Sequence, residues 1–163
     1  MDIKTRKKQL INDALSKNAA GVSGRKTVGI CAITMILLRL ALFIFELVFY
    51  SMNGLKLDVI SNILLLPFIF GVYMIYDGNK GIAPLLSVAA AIRIACYFLS
   101  TYDKLGDASL INAYTAIILA VMVLQFAIAL LVSYASGAQE YFKLMQSVNM
   151  QIQKEYLAKS GRR

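Results

Sequence analysis

Four long apolar runs constrain the fold of this chain more than any other feature of its sequence. They cover residues 28–52, 59–76, 82–102 and 111–135, with lengths of 25, 18, 21 and 25 residues. A helix rises about 1.5 Å per residue, so roughly 20 residues cross a bilayer core of about 30 Å. One such run is also found as the core helix of a soluble protein, but four in succession favour a membrane. The sequence therefore predicts an all-α integral membrane protein, a bundle of four transmembrane helices.

The basic residues predict on which side of the membrane the chain ends lie. Seven basic residues precede the first run and five follow the last, whereas the connections 53–58 and 103–110 hold only Lys56 and Lys104. Lys and Arg collect in cytoplasmic flanks, and an even number of spans places both termini on one side. We therefore expect a multi-pass protein of the cell membrane with both termini cytoplasmic. The net charge of +8 then reflects topology and contact with anionic lipid headgroups rather than nucleic-acid binding.

The chain divides into a membrane domain between two cytoplasmic segments. Residues 1–27 are basic and amphipathic, and we expect a helix over 2–20 on the inner membrane surface, broken at 21–26 (GVSGRK). Residues 28–137 form the transmembrane domain. Residues 138–163 are predicted to form a second amphipathic cytoplasmic helix, whose apolar residues have near-heptad spacing. We expect this helix to pack on the N-terminal one; binding to a partner is the alternative.

A short internal repeat suggests how the four spans are paired. LRLALF (38–43) and IRIACY (92–97) share the pattern apolar, Arg, apolar, Ala, any residue, aromatic. Each occurs in the first helix of a hairpin, and an Asn near the start of the following helix matches as well, Asn62 in one hairpin and Asn112 in the other. This pattern predicts two tandem helical hairpins, 28–77 and 82–135, related as a parallel repeat.

Charged residues inside two of the apolar runs point to an internal polar site. Arg39 and Arg93 are each the twelfth residue of their run, which places both near the bilayer midplane. Inserting an arginine there costs about 2.5–3.5 kcal/mol, so the side chain is expected to face the bundle interior. Glu46 lies seven residues after Arg39, about 10 Å further along the helix. We expect Glu46 to meet Arg93 across the helix interface, or Arg39 through extended side chains.

Three further residues are expected to join this site. Pro67 is near the middle of the second run and lacks an N–H, so it leaves the Ile63 carbonyl available to an arginine at a helix kink. Gln125 brings a donor and an acceptor, and Tyr97 brings a hydroxyl one turn from Arg93. The candidate ligand-binding residues are therefore Arg39, Glu46, Arg93, Tyr97 and Gln125, with Pro67 as the kink.

Two interpretations of the buried charges remain open at the level of sequence. Intramembrane ionisable residues often mark ligand or ion sites, and two cations against one anion favour an anionic or amphipathic ligand. Asp77 and Asp103, at the ends of spans, are other groups able to offset the second arginine. Alternatively, the buried network fixes only the register of the helices.

The sequence favours two non-enzymatic functions. The chain has no histidine, which excludes His-ligated haem and His-based nucleophile activation; we expect no metal, no cofactor and no catalytic activity. The first hypothesis is a small transport or ligand-binding subunit, which needs a homo-oligomer or a larger membrane complex because four spans are few for a permeation pathway. The second is a non-catalytic interaction or regulatory protein, such as a scaffold, an immunity protein or a holin-like pore former.

Overall fold

The chain folds into helices throughout the part that its computed structural model describes, residues 3–52, 65–102 and 109–160. The six helices are α1 (Ile3–Ser16), α2 (Ala19–Met52), α3 (Leu65–Tyr76), α4 (Ile82–Tyr102), α5 (Ser109–Tyr134) and α6 (Ser136–Ser160). These ranges contain no β-strand, so the predicted all-α class is confirmed.

Two helices are long and apolar enough to cross a membrane. They are α2, with 34 residues, and residues Ala113–Tyr134 of α5, with 22 residues; each contains an 18-residue stretch whose mean hydropathy is 2.5 in α2 and 2.7 in α5. The apolar stretches Leu65–Tyr76 and Ile82–Tyr97 are shorter. The first part of the predicted second span, 59–64, lies outside the described residues.

The four apolar helices pack in a ring. Helix α2 contacts α3 and α5, and α4 contacts the same two helices, so α2 and α4 occupy opposite corners. Near one end of the ring, one residue from each helix enters a shared apolar cluster with α6: Val28, Ile75, Ala83 and Val132. Helix α6 therefore closes one end of the four-helix arrangement.

The break after the N-terminal helix occurs earlier than the sequence predicted. Helix α1 ends at Ser16, and Asn18 caps α2 by accepting a hydrogen bond from the Gly21 N–H on its side-chain oxygen (2.9 Å). The expectation of a break at 21–26 was wrong, because these residues form the first turns of α2. The reason is packing: a Cβ on Gly24 would overlap the carbonyl oxygen of Gly137 in α6. The two glycines allow α2 and α6 to approach closely.

Helix α1 uses its apolar stripe for packing within the protein. Leu10, Ile11, Ala14 and Leu15 lie against an apolar cluster that α6 supplies with Tyr141, Phe142, Leu144, Met145 and Val148. The expected contact between the two terminal helices is therefore present. The position of α1 on the inner membrane surface stays a prediction, with the difference that α6 covers the apolar stripe of the helix.

A tight turn joins α3 to α4. Gly78 has φ +93°, and a Cβ there would overlap the Met145 side chain. The Gly78 N–H donates to the Ile75 carbonyl (3.0 Å) and the Asn79 N–H to the Met74 carbonyl (3.0 Å), the pair of bonds of a Schellman motif. The Tyr141 hydroxyl donates to the Tyr76 carbonyl (2.6 Å). The end of α3 is thus fixed to α6.

Two ion pairs bind α1 to the same end of the molecule. The Arg6 guanidinium donates to Glu155 of α6 through Nε (3.2 Å) and Nη2 (3.0 Å). The Lys7 ammonium donates to both oxygens of Asp77 (2.9 Å each), directly after α3. Both ends of the chain and the α3–α4 connection therefore meet at one end of the helical ring.

Candidate functional site

The buried face of α2 carries two charged residues in an otherwise apolar stripe. Its buried positions beyond residue 30 are, in order, Cys31, Ala32, Met35, Arg39, Leu42 and Glu46, which follow the helical steps of three and four residues. The exposed fraction is 2% for Arg39 and 8% for Glu46. Both charges are thus inside the helical ring, one on each side of Leu42.

Helix α5 places a polar side chain at the level of Arg39. Ala129 packs with Ala32 and Met35 in one cluster, while Met122 packs with Leu42 in the next. The residue numbers fall along α5 as they rise along α2, so the two helices are antiparallel. Gln125 lies between the two clusters on α5, as Arg39 does on α2. It is 5% exposed, and its Nε2 has no hydrogen-bond acceptor among the described residues.

Helix α4 brings the second arginine to the same region. Arg93 is half-buried and interacts electrostatically with both Arg39 and Glu46. Glu46 also interacts electrostatically with Arg39. Because α2 and α4 are opposite corners of the ring, the two guanidinium groups approach from opposite sides, with Glu46 acting on both. We call Arg39, Glu46, Arg93 and Gln125 the polar core.

Hydroxyl and aromatic groups surround the Glu46 end of the polar core. The half-buried Tyr97 interacts with buried Thr115 of α5 and with Glu46. Tyr114 stacks on Phe49 with a centroid distance of 3.9 Å and on Phe45 at 5.6 Å. These side chains therefore form an aromatic and hydroxyl layer, which lies next to the apolar cluster of Leu42 along the helix axes.

Asp77 lies away from the polar core, and Pro67 is on an exposed face of α3. The exposed Pro67 is in the first turn of the described part of α3, and the Ile63 carbonyl that its kink was expected to free lies outside the described residues. Asp77, one of the candidates to offset the second arginine, is instead bound to Lys7 at the end of the ring. Asp103, the other acidic candidate, also lies outside the described residues.

The sequence interpretation missed Thr115 and Tyr114. Both lie near the start of α5, at a distance along the chain from every charged residue of the polar core. The available signal was register: Thr115, Ile118, Met122, Gln125 and Ala129 follow one another at steps of three and four, so they share one face of α5. Extending the stripe of Gln125 backwards along α5 would have identified Thr115.

The polar core offers mainly positive charge and hydrogen-bond donors. Its four residues supply two guanidinium groups, an amide and one carboxylate; Arg39 and Gln125 lie between two apolar clusters, and Glu46 lies beyond the second. Arginine presents five N–H donors in a planar fork that matches carboxylate and phosphate groups. Within the described residues, no group of three His, Cys, Asp or Glu side chains is placed to hold a metal ion. The chemistry of the polar core suits an anionic group.

Comparison with known proteins gives no match of significance among protein-family models, curated proteins or solved structures.

Proposed function

We propose that this chain is a multi-pass membrane protein whose four apolar helices cross the membrane and whose polar core binds an anionic or amphipathic molecule. It acts as a small transport or ligand-binding subunit in the cell membrane, with both termini cytoplasmic and without a catalytic step. A homo-oligomer or a larger membrane complex completes the pathway if the ligand is transported.

The proposed topology is supported by the elements that lie at one end of the ring. Helix α1, helix α6 and the α3–α4 connection all meet there, as four spans with both termini on one side require. This end carries the basic flanks of the chain, which marks it as cytoplasmic. Exposed tyrosines lie near it on two helices, Tyr73 and Tyr76 on α3 and Tyr134 on α5. Tyrosine is enriched where apolar lipid meets headgroups.

The observation that carries the ligand proposal is the composition of the polar core. Within the described residues, two guanidinium groups and the N–H groups of the Gln125 amide, which have no acceptor there, share their region with one carboxylate, that of Glu46. At low dielectric the repulsion between two cations is large. An anion between α2, α4 and α5 offsets this repulsion and accepts the hydrogen bonds that the Gln125 amide donates.

A thermal-shift screen on purified protein tests the proposal. Anionic metabolites and lipids are added singly to the protein in neutral detergent; a ligand at one hundred times its Kd adds about 2.7 kcal/mol to the free energy of unfolding. We expect at least one anion to raise the Tm, and Arg93→Gln to abolish the increase. Arg25→Gln, which removes an equal charge at the cytoplasmic end of α2, is the matched control and should retain it. Destabilisation by Arg93→Gln without any anion effect on the parent protein would indicate a purely structural network.

A second candidate function is supported by the distal part of α6. Met150, Tyr156 and Leu157 are 51%, 59% and 60% exposed, an unusual set for a helix end in water. They favour a non-catalytic interaction or regulatory protein that binds a partner through α6, in which the polar core only fixes helix register. In that case Tyr156→Ser and Leu157→Ser abolish partner capture and leave the anion screen unchanged.

A further inference from the structure

A groove with a volume of about 620 Å³ lies between the α3–α4 connection and α6. We call it the α6 groove. Its volume is in the range of about 300–1,000 Å³ that is common for small-molecule sites. It is separate from the polar core, since none of its lining residues belongs to that cluster.

The wall of the α6 groove changes from apolar to polar. Met74 of α3, Pro84 of α4 and Phe142 of α6 supply its apolar part. The polar part comes from amide side chains at Asn79, Gln146, Asn149 and Gln153. The last three lie on one face of α6, at steps of three and four residues. A molecule that fills this groove therefore has an apolar portion and a portion that forms hydrogen bonds.

The charge of the groove is positive. Asp77 lines it, but its carboxylate already accepts two hydrogen bonds from the Lys7 ammonium at 2.9 Å. Lys80 lines the groove as well and is exposed, and it belongs to no ion pair within the described ranges. One ammonium group thus remains to attract an anion, and the neighbouring amides supply further donors.

The position of the groove, which rests on the proposed membrane topology, indicates which anion reaches it. Tyr76 ends α3 directly before the connection that lines the groove, and the exposed Tyr73 precedes it by one turn. These tyrosines mark the level of the lipid headgroups. Leu85, next to Pro84, is 63% exposed on the outer face of α4, where acyl chains pass. The groove therefore opens at the height where a phosphate and an acyl chain are both present.

We propose that the α6 groove binds one anionic phospholipid from the cytoplasmic leaflet. The Lys80 ammonium and the α6 amides contact the phosphate and headgroup, and the start of the acyl chains follows the apolar wall at Met74 and Pro84. The bound lipid contacts both the α3–α4 connection and α6. It thereby adds to the contacts through which Tyr141 and Lys7 already fix the end of α3.

The test uses the full chain in neutral detergent with phosphatidylglycerol or phosphatidylcholine added to the micelles. Cys96 is exposed and Cys31 buried; in a Cys96→Ala background, a thiol-reactive fluorophore reports unfolding at Cys31. We expect phosphatidylglycerol to raise the Tm more than phosphatidylcholine does, and Lys80→Gln to remove at least half of that difference. Lys154→Gln, with the same charge change on an exposed α6 residue outside the groove, should retain it. Asn149→Leu, which keeps every charge, should also reduce it.

Three results would overturn the proposal. Equal losses in Lys80→Gln and Lys154→Gln would show a general attraction between a basic surface and anionic micelles. An equal rise of the Tm with inorganic phosphate alone would show that no lipid is needed. Loss of the phosphatidylglycerol effect in Arg93→Gln, with Lys80→Gln unaffected, would assign the lipid to the polar core. The first two results would overturn lipid binding in the α6 groove without changing the outcome of the anion screen with Arg93→Gln. The two proposals can therefore fail separately.

Discussion

Gly24 of α2 and Gly137 of α6 are in backbone contact. A Cβ built on Gly24 would overlap the Gly137 carbonyl oxygen, and a Cβ on Gly137 would lie 3.5 Å from the Gly24 Cα. Close approach through small residues is typical of helix pairs in membranes. Here the glycine contact joins the first turns of α2, a helix long enough to cross a membrane, to α6, the helix that closes one end of the ring.

We expect Gly24→Ala to lower the free energy of unfolding by about 1–3 kcal/mol, because the new methyl group meets backbone that has no rotamer to change. Thermal unfolding in detergent measures the effect. Gly29→Ala is the control: its Cβ would lie 3.5 Å from Tyr76, an ordinary contact, and alanine favours the helix by about 0.5–1 kcal/mol. Equal effects of the two substitutions would contradict a tight α2–α6 contact.

Glu46→Gln should separate the stabilising role of the carboxylate from ligand binding. We expect a loss of about 3–5 kcal/mol in the free energy of unfolding without ligand, because the buried Arg39 and the half-buried Arg93 lose their shared anion. Binding of the anion found in the screen should be preserved or strengthened, since a competing negative charge is removed. Isothermal titration of the folded variant measures it. A folded variant that no longer binds anions would indicate that the carboxylate contacts the ligand and that the bound species is a cation.

Tyr141 should make the stability of the protein sensitive to alkaline pH. Burial raises the pKa of its hydroxyl to about 12, above the value of about 10 in an unfolded chain. The unfolded state therefore loses this proton first, and the contribution is complete below pH 10 and decreases as the pH rises towards 12. Between these values the parent protein should lose about 2–3 kcal/mol more than Tyr141→Phe. Parallel losses in chemical unfolding at pH 9 to 12 would refute this.

The proposed topology predicts where reporters are active. An alkaline phosphatase fused after Arg163 should be inactive, because it remains in the cytoplasm, whereas one inserted at residue 107 should be active. A cytoplasmic reporter at the same two places should give the opposite result and serves as the control. The reverse pattern would show that the count of basic residues assigned the sides wrongly.

The sequence predicted helices well where the pattern of apolar residues within one segment is enough to indicate a helix. Where the structure describes them, the apolar stretches and the C-terminal amphipathic pattern correspond to helices, with α6 beginning at Ser136 rather than 138. The prediction failed at 21–26, where two glycines favoured a loop by local propensity. Whether Gly24 ends a helix or allows a second helix to pack closely depends on residue 137. The two positions are too far apart in the sequence for a local pattern to include both.

The residues of the polar core could be selected from sequence, but their arrangement could not. A buried arginine is conspicuous in an apolar run, and Arg39, Glu46 and Gln125 are all buried in the structure. The surplus of positive charge suggested Asp77, at the end of a span, as a further partner, yet Lys7 binds it at the end of the ring. The Lys7–Asp77 pair depends on where α1 packs. The only sign of that position in the sequence is the short apolar stripe of α1.

The docking of α1 on α6 also imposes an order of events during synthesis. Helix α6, the main partner of α1, leaves the ribosome only after α2, α3, α4 and α5. Until then the stripe of Leu10, Ile11, Ala14 and Leu15 has no cover from α6. Contacts so distant along the chain form slowly, and exposed apolar surface attracts chaperones and proteases in the meantime. Chains that stop before residue 136 should consequently be short-lived in the cell, even when all of their apolar helices have been made.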